Sequence, residues 1–69
     1  MKAAEIIRRI ETLGGTAIRQ KGSHVRVVCR CGKNKTTVAS HGSQDVAVGT
    51  VHSIQRKLAP CFGKGWLLG

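Results

Sequence analysis

The chain is poor in acids, aromatics and proline. Three Asp and Glu stand against twelve Lys and Arg, giving a formal charge of +9 at pH 7. A field of that sign draws polyanions. Nucleic acid is the first partner class it suggests, with an anionic membrane surface and an acidic protein after it. The aromatics are Phe62 and Trp66, both in the C-terminal tail. A sheet without aromatics lacks the stacking platforms that read single strands, which points to recognition through backbone and shape. No stretch approaches the ~20 apolar residues of a membrane-spanning helix. Met1-Lys2 leads straight into an amphipathic pattern, without the apolar run of a signal peptide. Three cysteines are an odd number, unlike the even set of a disulfide scaffold. Reduced thiols and a cytoplasmic location are therefore expected.

At 69 residues the chain is one domain, burying about 60% of the surface its unfolded form exposes. It has no room for a deep cofactor cavity, so no cofactor is expected and any catalysis must come from a few surface side chains. Residues 2–13 read as a helix, with Ala3, Ile6, Ile7, Ile10 and Leu13 forming one apolar stripe. Gly14-Gly15 stops it. Residues 16–20 are a short strand candidate, and Lys21-Gly22-Ser23 a turn. Residues 24–31 alternate: Val25, Val27, Cys29 and Cys31 toward a core, and His24, Arg26, Val28 and Arg30 away from it. After a turn at 32–34, residues 35–39 make a third strand, with Thr36 and Val38 inward and Lys35 and Thr37 outward. Connections this short give an antiparallel meander.

Residues 40–49 read as a loop. A second helix is expected from a Thr50 N-cap to Pro60, with Val51, Ile54 and Leu58 on its buried stripe. The expected fold is α+β in the order α-β-β-β-α, with both helices on one face of a three-stranded antiparallel sheet. Residues 1–58 form the functional domain. Residues 59–69 form a tail that packs on it or extends from it.

The outer face then carries His24, Arg26, Arg30, Lys35 and Arg19. Gly22 frees the turn, Ser23 is placed to contact phosphate, and His24 opens a strand on the basic face. Histidine exchanges protons near neutral pH, and RNA supplies its own nucleophile in the 2′-hydroxyl. A positioned base removes that proton, and neighbouring cations such as Lys21 and Arg26 stabilise the phosphorane. Acid–base help of this kind gives typically about 10²–10⁴-fold. The residues alone leave two readings of His24 open, as a general base and as a surface group that only contacts RNA. His41 is an auxiliary candidate, either a general acid for the leaving 5′-oxygen or a loop hydrogen-bonder. His52 falls on a solvated helix face. Cys29, Cys31, Cys61 and His41 invite a zinc reading, but a metal site is not expected: Cys29 and Cys31 are separated by one residue, closer than zinc-binding pairs usually stand. The strand face that Cys29 and Cys31 share is the expected core, where free cysteine behaves as a small hydrophobe.

Lys21-Gly22-Ser23-His24, then Thr37-Val38-Ala39-Ser40-His41, then Gly49-Thr50-Val51-His52-Ser53-Ile54 resemble the HicA toxin family. That family carries Gly-Ser-His, Val-Pro-x-His and Gly-Thr-Leu-x-x-Ile segments in this order. The resemblance covers about residues 2–58. Ala39 stands where the family usually has proline, Val51 where it has leucine, and His52 where it often has arginine. The resemblance implies a double-stranded-RNA-binding-like fold and metal-independent endoribonuclease activity on mRNA. It further implies translation arrest and neutralisation by a cognate HicB-type antitoxin, with the essential histidine at His24. On this reading Arg19, Lys21, Ser23, Arg26, Arg30 and Lys35 contact RNA. The alternatives are a basic RNA-binding module that does not cut, and a domain used mainly to dock an antitoxin.

Overall fold

The computed structural model describes residues 1–40 and 44–68. Its elements run α1 (Ala3–Thr12), β1 (Thr16–Lys21), β2 (His24–Val28), β3 (Lys35–Ala39) and α2 (Val48–Phe62). This is the α-β-β-β-α order expected from the sequence.

The helices form because each carries one apolar stripe that the sheet can cover. On α1, Ala3, Ile6 and Ile10 recur at helical spacing, and all three are buried. The Lys2 N–H, orphaned at the helix start, donates to the Glu5 carboxylate at 2.9 Å. Gly14, at φ +95°, reverses the chain into β1. On α2, Val51, Ile54 and Leu58 are the buried residues.

The strands form an antiparallel sheet in the order β1-β2-β3. Val25 and Val27 of β2 pair with Val38 and Thr36 of β3, and all four are buried. The three valines share one core with Ile6 and Ile10 of α1 and with Ile54 and Leu58 of α2. Both helices therefore cover the same face of the sheet. The opposite face is bare.

The C-terminal tail packs on this core. Trp66 and Leu67 are buried, and Trp66 meets Phe62 edge-on, with ring centroids 5.1 Å apart. The Trp66 indole N–H donates to the Gln55 carbonyl at 2.7 Å. The Gln55 side-chain oxygen accepts from the Leu67 and Leu68 N–H groups at 3.1 and 2.7 Å. Arg9 ties the tail to α1 through the Trp66 carbonyl at 3.1 Å.

Three local expectations are corrected. β2 ends at Val28, not at residue 31. Its partner β3 begins at Lys35, opposite Val28, so the chain beyond has no ladder to join and turns, with Gly32 at φ +76°. Cys31 is consequently exposed. α2 starts at Val48 after Ala47, which makes no side-chain cap, and Thr50 lies within its first turn. Pro60 lies inside α2. It withholds one late N–H, but the helix completes its last turn and the Gly63 N–H closes it on the Ala59 carbonyl at 2.7 Å.

Candidate nucleic-acid interface

Gly22 and Ser23 alone separate the paired residues Lys21 and His24. Gly22 has φ +59°, and Ser23 has no such conformation. A glycine of positive φ at the first central position is the pattern of a type II′ hairpin, whose twist matches that of the flanking strands. The turn thereby fixes Lys21 and His24 opposite each other. Ser23 is half-buried, and its carbonyl accepts the Ser40 N–H.

Directly paired residues of an antiparallel ladder point to the same face, with Cβ atoms roughly 4.5–5.5 Å apart. On the bare face, one row reads Lys21, His24, Ala39. The next reads Arg19, Arg26, Thr37, and the last Thr16, Val28, Lys35. A register shift between Ala17 and Arg19 makes this possible. Strict alternation puts Thr16 and Arg19 on opposite faces, whereas one extra residue at Ile18 brings both to the same face. His24 is thus flanked by Lys21 across one ladder and by the small Ala39 across the other, with Arg26 two residues along its own strand.

The electrostatics of this face are one-sided. The three acids of the chain are Glu5 and Glu11 on α1 and Asp45 ahead of α2. Asp45 is engaged by the Lys2 ammonium at 3.3 Å and by the N-terminal amine at 3.8 Å. The hydrogen bond and charge of Lys2 hold its carboxyl below the usual carboxylate range. Arg19, Lys21, Arg26 and Lys35 have no acidic partner among the described residues.

The structure divides the residues singled out from the sequence. Arg19, Lys21, His24 and Arg26 come together, with Ser23 at their turn. Lys35 shares the face but stands opposite Val28, about 13 Å along the sheet from His24 at roughly 3.3 Å per residue. Arg30 lies past the end of β2, with its side chain over Gly14, and is not on the sheet face. His41 lies outside the described residues. Sequence reading placed Thr37 outward but missed the outward position of Ala39 beside the histidine. It also missed a groove lined by His52, Arg56 and Lys64 at the α2–tail junction, whose last member only the tail's fold brings near.

A second group of reactive side chains lies at the other end of the sheet. The sulfurs of Cys29, Cys31 and Cys61 all lie within 4.8 Å of one another. Burial pushes the Cys29 thiol up, but hydrogen bonds from Cys31, Cys61 and the backbone at Asn34 and Cys31 outweigh it and bring it down to about 6. Cys61 moves the other way, chiefly through its hydrogen bond with Cys31.

These features define a small basic α+β domain with one face covered by helices and the other left open. Residues 3–59 match the family profile described as HicA toxin of bacterial toxin-antitoxin systems. The chain belongs to the HicA toxin family. It is the toxin half of a toxin–antitoxin pair, and a cognate antitoxin is its partner. Comparisons with curated proteins and with solved structures find no match. No helix among the described residues is long and apolar enough to cross a membrane.

Proposed function

We propose that this toxin is a metal-independent endoribonuclease of a type II system, acting in the cytoplasm on mRNA and so arresting translation. The observation that supports this best is the placement of His24 beside Lys21 and Arg26 on an open, acid-free sheet face. His24 takes the proton of a ribose 2′-hydroxyl. The 2′-oxygen attacks the adjacent phosphorus, and the bond from phosphorus to the 5′-oxygen breaks. The products are a 2′,3′-cyclic phosphate and a 5′-hydroxyl, so the leaving oxygen must gain a proton from an acid or from water. Lys21, Arg19 and Arg26 offset the charge gathering on the phosphorane.

Binding follows from the same face. A double-stranded-RNA-binding-like sheet with no aromatics contacts phosphates and 2′-hydroxyls rather than stacking on bases. Lys35, two rows from His24, extends the cationic track, and Ser23 adds a contact at the turn. His41 stays an auxiliary candidate for the proton donor. A HicB-type antitoxin neutralises the toxin by covering this face, excluding RNA and hiding His24 together.

End analysis of the cut RNA tests the chemistry. Cyclic phosphate and 5′-hydroxyl ends, with no cutting at a 2′-deoxy position, are expected. Cleavage that persists at a 2′-deoxy position rules out the proposed nucleophile. Neutralisation is tested on the toxin–antitoxin complex, where His24 is expected to resist imidazole-directed modification. A complex that still binds RNA with His24 reactive contradicts that part of the reading.

A further inference from the structure

The three cysteines converge from separate parts of the chain. Cys29 follows β2 and is buried in the core. Cys31 lies in the β2–β3 turn and is exposed, and Cys61 sits half-buried in the last turn of α2. The Cys29 and Cys31 sulfurs are 2.7 Å apart, and all three lie within 4.8 Å of one another. Small-hydrophobe packing accounts for Cys29 and Cys61. It does not account for Cys31, an exposed thiol whose sulfur meets a buried one.

We infer that Cys29, Cys31 and Cys61 form a three-thiolate binding site for a thiophilic divalent cation, Zn²⁺, that clamps the β2–β3 turn to the end of α2. Zinc–sulfur bonds of about 2.3 Å at tetrahedral angles set sulfurs roughly 3.8 Å apart. The cluster lies within reach of that spacing, needing only the Cys29–Cys31 separation to widen by about 1 Å. On binding, the thiol protons leave to solvent and each sulfur bonds to the cation. The exposed side at Cys31 gives the ion an entry and leaves a fourth position for water. Three thiolates and one Zn²⁺ leave a local charge of about −1, which a chain of net charge +9 accommodates.

The surroundings suit a structural ion. The turn that carries two of the ligands is closed by the Cys29 N–H on the Asn34 carbonyl and the Gly32 N–H on the Cys29 carbonyl, both at 2.9 Å. The Asn34 side-chain amide lies 3.9 Å from the Cys29 sulfur, where its N–H donates to the ligand sulfur and steadies it. His24 stands at the opposite end of β2, so the ion braces the fold and takes no part in the proposed chemistry. A domain of this size is one that gains from such a staple.

The test uses the full chain, reduced and metal-free, titrated with Co²⁺ and then Zn²⁺. One equivalent of Co²⁺ is expected to give the near-ultraviolet absorption of cobalt–thiolate bonds, and Zn²⁺ to displace it and raise Tm. Cys31→Ser changes an exposed side chain and is expected to keep the far-ultraviolet circular dichroism while weakening Zn²⁺ binding roughly tenfold or more. Cys61→Ser, at the third ligand, is expected to do the same. The inference is overturned if the reduced chain gives no cobalt–thiolate absorption, or if both variants bind Zn²⁺ as tightly as wild type. It is equally overturned if the reduced chain takes up no metal and the thiols instead pair as a disulfide in air.

Discussion

Arg19 and Arg26 stand directly opposite each other across the β1–β2 ladder, on the face that no helix covers. Like charges in that relation are destabilising, and neither has an acidic partner among the described residues. The pair is relieved by an anion laid across it. Arg26→Ala is therefore expected to lower RNA affinity evenly across sequences and to reduce the slope of log affinity against log salt by about one. Folding stability should hold or rise slightly. Binding measured over a salt series, beside urea unfolding, checks both halves.

Two glycines separate steric from conformational cost. A Cβ on Gly15 meets the Val28 carbonyl oxygen at 2.7 Å, Ile10 Cγ2 at 2.5 Å and Phe62 Cζ at 3.0 Å. The backbone oxygen cannot swing aside, so Gly15→Ala is expected to destabilise by about 1–3 kcal/mol. A Cβ on Gly22 meets nothing within 4 Å, but its φ of +59° suits few side chains. Gly22→Ala should cost about 1–2 kcal/mol. It should also lower cleavage more than its stability loss explains, because the turn sets His24 against Lys21. Urea unfolding and cleavage rates of both variants compare the two costs.

The tail is part of the domain's stability. Trp66→Ala removes a buried ring and leaves the Gln55 carbonyl without the indole N–H. A loss of about 3–5 kcal/mol is expected, a large share of what so small a domain holds. Trp66→Phe keeps most of the volume and should lose less. Thermal unfolding orders the two; equal, negligible losses would show that the tail is not docked in solution.

The N-terminus contributes a pH dependence. Asp45 has its carboxyl held below the usual range by Lys2. A depressed carboxylate adds stability that is present above its unfolded pKa and is lost as pH falls through the folded one. Stability should therefore decline below about pH 4, and Asp45→Asn should flatten that part of the profile. The effect is small, since Asp45 is largely exposed.

The regular parts of the fold were legible because burial imposes period. Ile6 and Ile10 marked α1, and Val25 and Val27 marked β2, through spacings that only one covered face explains. The boundaries were less legible. The alternation of Val25 and Val27 runs on through Cys29 and Cys31 in the sequence, yet β2 ends at Val28 because no strand remains to pair with. That single misreading put Arg30 on the sheet face and Cys31 in the core. It also turned the zinc reading of Cys29, Cys31 and Cys61 aside, because it put two of the sulfurs in the core, whereas the fold brings Cys61 to them from a helix thirty residues on in the chain. The bulge at Ile18 was equally silent, since a change of register leaves no mark in composition. His24, Lys21 and Arg26 were legible together because a hairpin places them by local rules alone.

The most direct test of the proposed activity is cleavage of a cellular mRNA pool in Mg²⁺-free buffer by wild type and His24→Ala, with RNA binding measured in parallel. His24 is exposed, so its removal should leave the fold intact. The account predicts that wild type cuts, and that His24→Ala binds RNA comparably and does not cut. If His24→Ala cuts as well as wild type, or if neither protein cuts while both bind equally, His24 is not the catalytic group and the nuclease reading is contradicted.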